Sequence, residues 1–194
     1  MKTRTLLATT LTLAAMSISA FAAECKTDVE DAFDLEAAQI DEIYACIKDK
    51  MVEGYTKQGN EIAAVYRDWT PTATRPAVAG PHGERLLNTF ANDIAAPQYL
   101  KFEEEGVVMP AGSVLAKESI KINVKKGMAV VGPLFIMTKG EAGAAPDAND
   151  WIYSAVQPGG KPMKIKQSFC HNCHEAFAEQ GDLGYPVEEV RISN

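Results

Sequence analysis

Apolar positions at Ile40, Ile43, Tyr44, Ile47, Met51 and Tyr55 recur at steps of three and four, which predicts an amphipathic helix from Asp34 to about Gln58. Asp34 is placed to cap its start, and Gly59-Asn60 ends it before a second short helix from Glu61 to Tyr66. The tyrosines and methionine of this face read as core packing. After Tyr66-Arg67-Asp68-Trp69 the period changes. Thr70 to Gly83, rich in Thr, Pro and Gly, reads as a loop, Glu84 to Asn92 as an edge strand, and Ala96 to Glu105 as a short helix with Glu103 to Glu105 on its solvated face. A turn through Met109-Pro110-Ala111-Gly112 leads into Ser113 to Val124, where Ile120, Ile122 and Val124 alternate with Lys121 and Asn123 as in a strand. Lys125-Lys126-Gly127 reads as a hairpin turn, Pro133 to Thr138 and Trp151 to Val156 as further strands, and Gly140 to Asp150 as a loop. No repeat or linker divides the chain. The order of elements, helices followed by an antiparallel meander, predicts an α+β domain.

The N-terminus adds an address. Lys2 and Arg4 precede an apolar stretch from Leu6 to Ile18 and the small-x-small site Ala20-Phe21-Ala22, the pattern of a cleaved signal peptide over residues 1–22. One domain over 23–194 is expected to remain. The apolar stretch is short for a membrane span, and no later segment approaches the ~18 apolar residues a span requires, so no membrane partner is expected. Glu24 before Cys25 argues against a lipid anchor. Loss of Lys2 and Arg4 takes the net charge from −7 to −9, which disfavours nucleic acid and leaves an acidic surface that serves solubility or, should the protein carry electrons, a basic redox partner such as a cytochrome. Cys25 and Cys46 form an even pair in an oxidising compartment, which predicts a disulfide worth about 3 kcal/mol by chain entropy.

The remaining thiols carry the chemistry. Ser168-Phe169-Cys170-His171-Asn172-Cys173-His174 contains C-x-x-C-H about twenty residues from the end of the chain. Two cysteines three apart share one face of a helical turn, so both sulfurs can reach the vinyl groups of one haem and form thioethers. The histidine that follows is then placed as an axial iron ligand, so Cys170, Cys173 and His174 predict a single, covalently held haem c. A thioredoxin-like pair would lie early, at a strand-to-helix junction, and a structural zinc would need a second pair of ligands. His171, between the cysteines, reads as a surface residue. Thioether formation outside the cytoplasm agrees with the export signal and points to a periplasm.

A motif this late in the chain is unlike the small electron carriers, and the strand pattern argues against the four-helix bundle of cytochrome c′. Tyr66-Arg67-Asp68-Trp69, Pro110-Ala111-Gly112 leading to Ala116-Lys117-Glu118, Trp151 with Tyr153, and Phe169-Cys170-x-x-Cys173-His174 together resemble the cytochrome P-460 and cytochrome c′-beta family. The resemblance implies an antiparallel sheet over one haem, often in a homodimer, with His174 on the iron and an open distal side. In hydroxylamine-oxidising members a lysine before a glutamate is bonded to the haem edge and a distal carboxylate takes protons. By the resemblance Lys117 matches that lysine; the alternative is an ordinary strand lysine. The carboxylate position falls at Phe135, and with Met137 this implies an apolar wall suited to nitric oxide or carbon monoxide. Glu118 or Glu141 reaching the pocket would restore oxidation chemistry. A different class of function is an electron-transfer cytochrome with six-coordinate iron, its sixth ligand drawn from Met109, Met128, Met137, Met163, His82 or a lysine.

Overall fold

The structure is a computed structural model and describes residues 24–192; the expected signal peptide over 1–22 lies outside the described residues. The helical period is realised as α1 (Ala37–Thr56), whose buried residues include Ile40, Ile43, Ile47, Met51 and Tyr55. Asp34 does not cap it. Asp34 belongs to a separate 3₁₀ turn, Ala32–Asp34, and the helix starts after Glu36, whose backbone N–H donates to the Gln39 side chain at 2.9 Å. A short α2 (Glu61–Val65) follows, with the Asn60 side chain accepting from the Ala63 N–H at 2.9 Å. Cys25 and Cys46 are joined by a disulfide, which ties the extended start of the described chain to α1.

The strands are β1 (Thr70–Pro71), β2 (Ala77–Ala79), β3 (Arg85–Ala91), β4 (Val114–Asn123), β5 (Met128–Val131), β6 (Leu134–Lys139) and β7 (Trp151–Val156). They form one antiparallel sheet in the order β1-β3-β4-β6-β7, with β2 also paired to β3 and β5 to β4. Two expectations are corrected here and one strand is added. β3 is not an edge strand, because β4 pairs along one side while β1 and β2, both inside the expected Thr70–Gly83 loop, pair along the other. The helix expected over Ala96 to Glu105 is only α3 (Ala96–Tyr99), and Glu103 to Glu105 lie exposed beyond it. Strand β5 was not anticipated; it follows the turn at Gly127, which is left-handed at φ 59°.

Alternation along the strands gives the sheet two different faces. Toward α1 point Phe90, Ala116, Ile120, Leu134, Ile136 and Val156, which make one core with the helix. Tyr55, fully buried there, donates its hydroxyl to the Gly132 carbonyl at 2.8 Å. At Gly54 a Cβ would come within 2.2 Å of the Pro158 carbonyl oxygen, so only glycine lets the helix pass this close. On the opposite face Ala91, Leu115, Met137 and Tyr153 join Trp151, Tyr99, Met109 and Leu183 in a second core. Among the described residues no helix is long and apolar enough to cross a membrane.

A candidate haem site between the last helix and the sheet

The C-x-x-C-H residues lie on α4 (Gln167–His174). The helix is pinned to the edge of the sheet by its first residue. The Gln167 side chain accepts from the Tyr153 N–H at 2.7 Å and donates to the Tyr153 carbonyl at 2.8 Å, completing the outer edge of β7 as a further strand would. Cys170, half-buried, and Cys173, exposed, are both free thiols one helical turn apart.

Behind His174 the chain turns back through two successive left-handed residues, Gly181 at φ 71° and Asp182 at φ 63°. That turn aims the Asp182 carbonyl at the imidazole, which donates from Nδ1 at 2.7 Å. Nε2 is therefore the nitrogen left for a metal. The turn is itself fixed: the Trp151 Nε1–H donates to the Gly181 carbonyl at 3.0 Å, and the buried Asp182 carboxylate accepts from Asn149 at 2.9 Å. Burial, and secondarily Lys117, push the His174 imidazole below its ordinary pKa, against the pull of Asp182. The neutral form that can coordinate iron is the favoured one.

Lys117 lies on the second-core side of the sheet, directly across from Phe135 on β6 and Thr89 on β3. It is 8% exposed, its amine has no hydrogen-bond or ion-pair partner among the described residues, and burial pushes its pKa down to about 8. Phe135 is half-buried, and its ring lies 5.0 Å from that of His82. His82 comes from the 3₁₀ turn Gly80–His82 at the tip of the β2–β3 hairpin, with its ring 6.3 Å from that of His174. Burial, then Lys117, His174 and Arg85, push His82 down to about 3. Met137 shares the face of Phe135 but is packed into the second core, as is Met109.

The two carboxylates considered for this face are elsewhere. Glu118, one residue along β4, points to the helix side, where it accepts from Tyr44 at 2.9 Å and from Tyr66 and Arg67 at 2.5 Å each. Glu141 is exposed in the loop after β6. His171 also corrects its expectation: it is buried, not a surface residue, because α4 turns that side of the helix against Tyr153, whose ring lies 6.4 Å away. Asp182 and Tyr153 are the site residues that sequence reasoning gave no role. Tyr153 lies 5.3 Å from His174, ring to ring, while Asp182 acts through a carbonyl that its side chain does not advertise.

A family model described as Cytochrome P460 matches residues 63–183. The chain belongs to the cytochrome P460 family. The match begins in α2 and closes at Leu183, so it spans the whole sheet, α4 and the turn carrying Asp182. Comparison with curated proteins gives no match. Cytochrome P460 proteins bind haem, and the residues here fit one. Two free thiols and a histidine with Nε2 left unengaged lie within the last five residues of α4, and the Tyr153 hydroxyl and His171 Nδ1 are buried without partners. Buried polar groups are rarely left so unless something else satisfies them, which a porphyrin with its carboxylates would do.

Proposed function

We propose that this member of the cytochrome P460 family is an exported, periplasmic protein with one covalent haem c, held by Cys170 and Cys173 and ligated by His174, that binds a small nitrogen compound such as nitric oxide. The observation that carries the reading is the imidazole of His174, oriented from behind by the Asp182 carbonyl at 2.7 Å, with Lys117, Phe135 and His82 as its neighbours on the sheet side. Bound haem supplies an iron that takes up diatomic ligands and exchanges electrons. The Asp182 carbonyl makes His174 a stronger donor by accepting its Nδ1 proton in a hydrogen bond. The ring of Phe135 keeps water off the face and favours weakly polar ligands. Lys117, with a pKa pushed down to about 8, is about one-tenth neutral at pH 7, far more than an ordinary lysine, which makes its nitrogen more nucleophilic toward a haem edge.

Oxidation of hydroxylamine requires a group that removes protons from the bound substrate, a contribution typically of about 10²–10⁴-fold. Glu118 is committed to Tyr44, Tyr66 and Arg67 on the far face and Glu141 is exposed, so ligand binding is favoured over conversion. One observation favours a second reading, an electron carrier with six-coordinate iron: the His82 ring 6.3 Å from that of His174.

The test is intact mass and spectra of the exported protein and of Lys117→Ala. The wild type is expected to exceed its polypeptide mass by one haem, to keep its pigment in acid acetone, to change spectrum with nitric oxide, and to turn over no hydroxylamine. Spectra that differ between wild type and Lys117→Ala in the ferrous state support a Lys117 bond to haem, and coincident spectra refute it. Colourless protein, or pigment that ignores nitric oxide, overturns the reading.

A further inference from the structure

We infer that His82 is a displaceable sixth ligand, so that the iron site is closed at rest and an incoming molecule enters by pushing the His82 imidazole aside. This rests on the haem reading above and adds to it the state of the distal face.

Two imidazoles on opposite sides of one metal, each with a nitrogen–metal bond of about 2.0–2.1 Å, have ring centres roughly 6 Å apart. The rings of His174 and His82 are 6.3 Å apart, with their planes 82° from one another. A distal base acting on a bound substrate needs a longer gap. Metal, substrate atom and a hydrogen bond of about 2.6–3.2 Å in line would set the ring centres roughly 9 Å apart. The observed separation accommodates ligation and leaves too little room for His82 to serve as a base above a bound molecule.

The local structure supplies a free ligand atom. His174 commits Nδ1 to the Asp182 carbonyl, whereas the His82 ring makes no hydrogen bond among the described residues, so either of its nitrogens can coordinate. What holds His82 in place is its backbone and its packing. Its carbonyl accepts from Arg85 at 2.5 Å, and its ring rests 5.0 Å from Phe135. The hairpin tip that carries it turns through Gly83 at φ 71° and Glu84 at φ 54°, and lies at the short β2 end of the sheet. A three-residue strand with half-buried side chains, of which Val78 touches the first core, is a weak anchor, so the tip beyond it can lift at small cost. In the displacement the iron–nitrogen bond to His82 breaks as the bond to the incoming ligand forms, and no electron is transferred.

The test uses the exported, haem-loaded chain. Electron paramagnetic resonance and electronic spectra of the ferric wild type are expected to be low-spin, and His82→Ala is expected to turn high-spin and to return to low-spin on adding imidazole. Carbon monoxide binding to the ferrous wild type should level off with ligand concentration, limited by His82 departure. In His82→Ala it should stay linear, with apparent affinity higher by about tenfold or more, because a site open only a small fraction of the time binds correspondingly weakly. A high-spin wild type, or a His82→Ala protein that stays low-spin, overturns the inference while leaving nitric oxide binding intact. The wild-type spectrum decides the matter even if the variant does not fold. A chain that carries no haem overturns both this inference and the reading beneath it.

Discussion

Arg67 and Glu118 form an ion pair of 2.5 Å on the helix side of the sheet, with the Glu118 side chain 1% exposed and that of Arg67 27% exposed. Burial pushes the Glu118 carboxyl upward against the downward pull of Arg67 and the Tyr66 and Tyr44 hydroxyls. The two hydroxyls are themselves held protonated by burial and by Glu118, so they remain donors. Glu118→Ala strands a guanidinium and two hydroxyls at once and is expected to cost about 3–5 kcal/mol in denaturant unfolding. Because Glu118 faces away from α4, the folded variant should keep the wild-type haem spectrum. A shifted spectrum would show that the carboxylate acts on the haem face after all.

Gly181→Ala probes the turn behind His174. The added Cβ would sit 2.9 Å from the Val107 carbonyl oxygen at a residue with φ 71°. A strained left-handed residue costs about 1–3 kcal/mol, and relief of that strain moves the neighbouring Asp182 carbonyl off Nδ1. The expected outcome is a lower midpoint of unfolding together with a changed iron reduction potential. Loss of stability at unchanged potential would mean that the carbonyl does not tune the imidazole.

Lys117→Met separates the buried amine from the rest of the site. An amine whose pKa falls from its ordinary 10.5 to about 8 on folding opposes folding, since between those values the unfolded chain binds more protons. The penalty, about 3 kcal/mol, is fully present below pH 8 and gone above pH 10.5. Lys117→Met should therefore be more stable than wild type near neutral pH, by up to that amount, with the advantage fading as pH rises through this window. A wild type that lacks the window would have its amine engaged in a bond.

Replacing Cys25 and Cys46 together by Ser opens a cross-link across 21 residues and should cost about 3 kcal/mol. Unfolding with and without reductant checks it. Pigment and nitric oxide binding should persist, because the disulfide belongs to the α1 side of the sheet.

Much of this arrangement was legible in the chain. Period located α1 and β4; β3, β6 and β7 were legible as strands, and C-x-x-C-H marked the site because three chemically committed residues fall within five positions of one helix. What period cannot reach is short or non-local. β1 and β2, of two and three residues, carry too few positions to alternate visibly, so β3 looked like an edge. Burial of His171 depends on where α4 docks, which Gln167 decides through the backbone of Tyr153. The placement of His82 beside His174 is a product of the hairpin tip, with 92 positions separating the two in the chain.

Lys117 and Glu118 are consecutive in β4, and the pleat sends the amine to one side and the carboxylate to the other. A slip of β4 by one position would exchange them, delivering an acid to the His174 side and an ammonium to the tyrosines. Which of the two chemistries stands beside the imidazole is thus governed by strand registry rather than by composition, and the two cores that flank β4 hold that registry in place.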